Sequence, residues 1–188
     1  MGFIVRLYHS VFEAISSALG GWFLGLAARF VFAAVLLVFF LNSALTKVGS
    51  GVAGFFAPSV GAYAQILPKQ MEAAGFDPTK LDTLEQVIVY AGTYAEFALP
   101  ILIIVGLFTR VAAFGMIVFV GVMTYTDVAG HGVAIGMLFD GKQDAVIDQR
   151  LLWVFPLLYL FLRGAGAISL DRLFGRPFVR PRHDYDYA

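Results

Sequence analysis

The sequence predicts an all-α integral membrane protein: a four-helix bundle with an interfacial N-terminal helix and a long outer loop. Two features of composition and one of patterning carry this. Hydrophobic residues make up 60% of the chain and charged residues 14%, where a soluble domain holds roughly 45–50% apolar residues. Mean hydropathy is correspondingly high, at +0.81. The apolar residues also gather into runs close to the ~20 residues that a helix needs to cross a bilayer, with charges collected at the borders.

Residues 1–28 form the first segment. Val5, Tyr8, Phe12, Ile15 and Leu19 recur at helical spacing while Arg6, Glu13, Ser16 and Ser17 fall elsewhere, the pattern of an amphipathic helix lying in a membrane interface or docking on a partner. No short apolar core leads to a small-residue cleavage site, so the segment is expected to remain attached. The membrane domain then covers residues 29–170, and a tail that is first basic and then rich in Asp and Tyr covers 171–188.

The first predicted span, residues 30–46, is bracketed by Arg29 and Lys47, whose long side chains are expected to snorkel to opposite interfaces. The second, 84–108, opens with Asp82-Thr83-Leu84-Glu85, in which Asp82 can cap and Glu85 can complete a capping box. The third, 111–126, follows so closely that the two must form a tight antiparallel hairpin. The fourth, 145–162, ends at Arg163-Gly164-Ala165-Gly166, where glycines can stop a helix. Pro100 and Pro156 lie inside the second and fourth spans, either as bends absorbed by packing or as hinges.

Residues 48–83 make an outer loop too long to be an idle connection. A short helix is expected over 65–74, starting near Pro68 and stopping at Gly75. The apolar Gly54-Phe55-Phe56-Ala57 stretch reads as a lid or, preferably, as a hydrophobic plug on the bundle. Charge sets the orientation. With four spans, all four lysines and Arg150 fall on one side and the other eight arginines on the opposite side, which should be cytoplasmic together with both termini.

Several classes of chemistry are excluded. Without cysteine the chain has no disulfide, thiolate metal site or iron–sulfur cluster of its own. Its three histidines, His9, His131 and His183, are too scattered for a helical metal pair. No intrinsic cofactor or metal is therefore expected. The arginines at 172, 176, 180 and 182 suit anionic lipid head groups, and nucleic acid is not an expected partner.

Three segments in this order resemble the DoxX family of small four-helix bacterial membrane proteins. They are Arg29 with its apolar run to Lys47, then Glu96 followed by Gly106-Leu107-Phe108-Thr109-Arg110-Val111-Ala112-Ala113, then Gly164-Ala165-Gly166-Ala167-Ile168-Ser169-Leu170-Asp171. Ala74-Gly75-Phe76-Asp77-Pro78 precedes the second span as well. The resemblance implies a bacterial inner-membrane protein linked to quinone-coupled sulfur oxidation, oxidative-stress assemblies or the maturation of redox proteins. It implies a membrane subunit of a quinone-linked oxidoreductase, with quinone as the cofactor and other proteins or further copies of the chain as partners. A non-catalytic assembly or anchoring protein and a small transporter are the alternatives. No catalytic residue set comes with the resemblance.

Glu96 is the first candidate for chemistry. It lies deep in the second span, where an ionised carboxylate must be paired, wet or neutralised. It is read as a proton acceptor or head-group partner for a small polar molecule, or as a neutral acid bonded to a neighbouring helix. Thr93 shares its face, and Lys47 is a partner only if a tilt or an outward-facing cavity brings the two together. Tyr90 and Tyr94, one turn apart, are candidates to line a pocket or to belong to an interface belt. Asp127 and His131 at the end of the third span, with Asp148 and Arg150 at the mouth of the fourth, could form a polar outer vestibule or an ordinary interfacial salt bridge.

Overall fold

The computed structural model describes residues 2–142 and 144–175, and among these there is no β-strand, only an isolated bridge between Val48 and Pro58. The basic residues expected at 176–182 and the Asp/Tyr terminus lie outside the described residues.

Helix α1, Gly2–Leu19, has no buried residue. Gly20 and Gly21 interrupt it, and α2 then runs from Phe23 to Lys47. Its inward positions Phe32, Leu36, Phe40 and Ala44 are all buried and all four residues apart. In a regular α-helix such a row drifts about 40° per step, because four residues exceed the 3.6-residue turn. A stretch of π-helix over Ala33–Leu37 takes up the extra residue and keeps the row facing the bundle.

The first span thus starts at Phe23, earlier than the predicted residue 30, and Arg29 is not a snorkelling border residue. Only 6% of it is exposed. Its Nη1 donates to the Ile104 carbonyl at 3.0 Å and its Nη2 to the Ile168 carbonyl. Gly25, one turn earlier, lies so close to Ala165 that a Cβ would come within 2.6 Å of that residue's carbonyl oxygen. Close approach of the two backbones brings Arg29 to its carbonyl partners.

The outer segment folds as a small cap. It contains α3 (Gly51–Phe55), α4 (Val60–Ile66) and α5 (Pro68–Ala73). The single helix expected over 65–74 is split at Leu67, which the following proline forces out of the helical region, to φ −126° and ψ 62°. Asp77 starts a short 3₁₀ turn, and the Thr79 hydroxyl and N–H that it accepts hold its carboxyl below the usual range. Ala62, Tyr63, Met71 and Leu81 form a separate core with Val89 of the next helix. The expected plug does not enter the bundle. Phe55 packs on Tyr94 and Phe97, while Val52 and Phe56 remain exposed.

Helix α6, Thr83–Val105, opens with the predicted capping box: Glu85 N–H donates to Asp82 at 2.7 Å, and Asp82 N–H to Glu85 at 3.0 Å. It runs through Pro100 and stops at Gly106, whose φ of 71° suits glycine. Helix α7 follows at once as Thr109–Gly130, its last turn, Thr126–Gly130, being π-helical. Helix α8 is Val146–Arg163 and ends at Gly164; the short α9 is Leu170–Phe174. Three of these, α2, α6 and α7, are long and apolar enough to cross a membrane. Helix α8 carries Asp148, Arg150 and Arg163 and packs along α7 and the start of α2.

The bundle core is Phe32, Leu36, Phe40, Ile103, Met116, Val120, Leu157 and Leu160, with Ala112 and Ala113 where helices approach closely. At the inner end, Asp171 locks the α6–α7 hairpin. Its carboxylate accepts from Phe108 N–H at 2.6 Å and Thr109 N–H at 2.9 Å, and its own N–H donates to the Gly106 carbonyl at 2.7 Å. An acid that accepts the free N–H groups at the start of α7 also complements the helix dipole.

Candidate functional site

The site is built where α2 ends. Lys47 is the last residue of α2 and points back along it, so its Nζ meets Ser43 Oγ at 2.7 Å one turn earlier. The same ammonium donates to both carboxylate oxygens of Glu96, at 3.0 and 2.9 Å. Both residues are buried, Lys47 being 4% exposed and Glu96 3%. By its place in the sequence Lys47 belongs at the outer interface, out of easy reach of Glu96; backward extension of the side chain removes that difficulty.

Beside this pair lies a cavity of about 480 Å³. Its walls are largely apolar: Phe39 from α2, Ile66 from the cap, Leu99 from α6, and Val118, Phe119, Val122 and Met123 from α7. Room comes from small side chains on facing helices, Ala91, Gly92 and Ala95 on α6 and Gly115 on α7. A Cβ on Gly92 would meet Ile66 at 3.2 Å and one on Gly115 would meet Leu99 at 3.2 Å. Ile88, Ala91, Val118 and Val122 are exposed, so this wall continues onto the outer flank of α6 and α7.

A second polar group closes the outer end. Arg150 Nη2 donates to Asp127 Oδ2 at 2.8 Å, and the guanidinium lies over the Trp153 ring, 4.2 Å from its centroid. The π-helical last turn of α7 carries Asp127 and brings the His131 N–H onto the Thr126 carbonyl. His131 Nε2 lies 3.0 Å from the Gln65 carbonyl, which can only accept, so Nε2 carries the proton there. Glu96, Lys47, Asp127, His131 and Arg150 therefore share one cavity.

The other sequence candidates are placed elsewhere. Thr93 is fully buried but does not line the cavity. Tyr90 and Tyr94 lie with tilted rings 6.2 Å apart on a different side of α6, and Tyr94 donates to the Phe55 carbonyl at 2.8 Å, tying α3 down. Asp127 and His131 are not bonded to each other in a relay, because each is committed to a different partner. Ser43, Gln65, Trp153 and the small residues of α6 were not singled out from sequence. The Ala91/Ala95 repeat, one turn apart, is the one signal that could have pointed to the cavity wall.

A second hollow, of about 650 Å³, lies at the inner end between Arg29, Leu26, Val105 and the 167–173 segment. Of its two arginines, Arg29 and Arg172, the buried Arg29 is bound to two carbonyls through Nη1 and Nη2, while its Nε meets no acceptor among the described residues. Among the described residues, no group of three or more His, Cys, Asp or Glu side chains could hold a metal ion.

The DoxX family profile matches residues 24–131. The chain belongs to the DoxX family. The matched region runs from the start of α2 through the π-turn of α7, so this DoxX protein draws Lys47, Glu96, Asp127 and His131 from the shared part and Arg150 from beyond it. No curated protein and no solved structure matches the chain.

Proposed function

We propose that this DoxX protein is the membrane subunit of a redox system and binds a quinone, or another lipid-soluble molecule with a polar head, in the cavity beside Glu96. The observation that supports it is one apolar space bordered by two ion pairs and continuous with the flank of α6 and α7. Ligand sites of this size are mostly apolar with a few placed polar groups. A quinone that receives two electrons from a partner protein also takes up two protons. Glu96, a carboxylate in its ion pair with Lys47, is a buried group able to accept a proton and relay it to a ligand oxygen, returning to the carboxylate that the Lys47 charge stabilises.

In this reading the outer cap faces away from the cytoplasm, α8 is the fourth span, and both termini lie on the arginine-rich cytoplasmic side of a bacterial inner membrane. Protein purified in mild detergent is expected to release a quinone on organic extraction. Glu96→Gln, which keeps hydrogen bonding but cannot ionise, is expected to retain the ligand and lose turnover with the redox partner. Recovery of no lipid-soluble ligand, together with unaltered turnover, would exclude the reading. Because the chain has no cysteine, single cysteines placed at Lys142 and Gly2 can be labelled with an impermeant maleimide to test the orientation directly.

One observation favours the anchoring alternative. Phe3, Ile4, Leu7, Val11, Phe12 and Ile15 of α1 are exposed and nothing in the described chain covers them. They suit a membrane surface or a partner subunit. A complex that survives mild detergent in the full chain but dissociates when residues 2–21 are deleted would assign them to the partner.

A further inference from the structure

The outer segment changes character at Pro68. From Val48 to Pro68 there is no charged residue, whereas Lys69, Glu72, Asp77, Lys80 and Asp82 follow in close succession. The structure puts that boundary at a definite level. A Cβ on Gly130, the last residue of α7, would come within 2.6 Å of the Pro68 ring. Gly130 lies 21 positions from Thr109, about 30 Å along the helix, which is also about the thickness of a bilayer hydrocarbon core. The charges of the cap therefore begin where the hydrocarbon ends, and its uncharged half lies below that level.

Within the uncharged half, residues 48–58 form a closed loop beside α6, outside the bundle. Ser59 N–H donates to the Lys47 carbonyl at 2.8 Å and Gly49 N–H to the Gly54 carbonyl at 2.9 Å, so the chain leaves and returns at one place. The two glycine backbones touch: a Cβ on Gly54 would lie 2.4 Å from the Gly49 carbonyl carbon. The Phe55 ring reaches Phe97 and Tyr94, at 5.3 and 6.1 Å between centroids. Tyr94 is 12 positions from Gly106, about 18 Å, which leaves the ring about 10 Å short of the outer edge of the core. Sliding the helices to lift the loop into water would draw Arg110 and Arg163, at the inner ends of α7 and α8, into the hydrocarbon.

We propose that residues 48–58 are a re-entrant loop seated in the cap-side leaflet, with phospholipid acyl chains covering Val52 and Phe56, which are 83% and 67% exposed. Val87, Tyr90 and Ile101 are exposed on the same face of α6, so the loop continues a flank that already belongs to a spanning helix. Backbone groups in hydrocarbon need partners from the protein. The Tyr94 hydroxyl supplies one at depth by donating to the Phe55 carbonyl at 2.8 Å, and Pro58 brings no N–H to be paired. The proposal concerns how the chain sits in the bilayer and stands whether or not the cavity holds a ligand.

The test uses the full chain, which has no cysteine, in phosphatidylcholine nanodiscs. Val52→Cys and Phe56→Cys each carry a nitroxide. Its collisions with oxygen, which concentrates in hydrocarbon, are compared with those of nickel ethylenediaminediacetate, which stays in water. Val35→Cys on the exposed side of α2 and Lys80→Cys on the cap mark the two extremes. The oxygen-to-nickel ratio at 52 and 56 should match that at 35 and exceed that at 80 several-fold. Tyr94→Phe should lower the ratio at 52 several-fold, because the unpaired Phe55 carbonyl draws the loop toward water. In an aqueous lid, water takes over that carbonyl and the ratio does not move.

Ratios at 52 and 56 equal to that at 80 would overturn the embedded loop. Weak collisions with both reagents would overturn the acyl-chain contact in favour of a second copy or a partner protein. An unchanged ratio in Tyr94→Phe would overturn the part given to Tyr94. If Tyr94→Phe does not fold, the two exposed positions decide by themselves.

Discussion

The two ends of the bundle use the same kinds of residue to opposite effect. At the inner end Arg29 is bound to two backbone carbonyls and Asp171 to the N–H groups that start α7, so both charges fix main chain. At the outer end Lys47, Glu96, Asp127 and Arg150 bind one another around a cavity, and the backbone there is held by the cap instead. A buried charge next to carbonyls or N–H groups stabilises a chain crossing; a buried charge next to another side chain remains able to exchange a proton or accept a new partner. The inner end is a lock, and the outer end surrounds an open space.

The comparison can be broken most severely at Lys47. Lys47→Met leaves Glu96 buried without a partner and should cost about 3–5 kcal/mol, seen as a large fall in thermal midpoint and in monodisperse yield. Lys47→Met with Glu96→Leu should regain most of that stability and still fail to bind ligand. A double variant as unstable as the single one would show that the pair is structural.

Arg29→Met should cost about 2–3 kcal/mol, because two carbonyls lose charge-assisted bonds, yet leave ligand affinity in the surviving folded protein unaltered. Altered affinity would contradict the division between the two ends. Asp171→Ala should cost about 1 kcal/mol, the usual value of a lost helix cap, and should raise hydrogen exchange at Phe108 and Thr109. The smallest stability effect is expected from Gly115→Leu, within about 1 kcal/mol, since helix propensity gained offsets crowding of the flexible Leu99. It should nevertheless fill the cavity and abolish ligand retention.

The outline of the fold was legible in the sequence because helices announce themselves locally. The capping box at Asp82/Glu85, the stop at Gly106 and the fourth helix up to Gly164 all rest on residues within a turn of each other. The start of the first span was not legible. Arg29 looks like a border residue until the carbonyls of Ile104 and Ile168, far along the chain, are folded against it. Glu96, Asp127, His131 and Arg150 could each be picked out as polar groups in apolar surroundings. Their convergence depends on the reach of Lys47 and on a π-turn, neither of which leaves a periodic mark. Tyr90 and Tyr94 looked equally good on spacing alone, and the side of α6 they occupy is set by packing with Phe55.

Helix α6 extends outward well past the end of α2. From Thr83 to Glu96 it covers 13 positions, about 20 Å at 1.5 Å per residue, and over part of that length Val89 belongs to the core of the cap. One uninterrupted rod is thus shared by the cap and the buried acid, and Gln65 and Ile66 of the cap also wall the cavity. A push at the Thr83 end of this stiff lever would be felt at Glu96, about 20 Å away, without any contact inside the cavity.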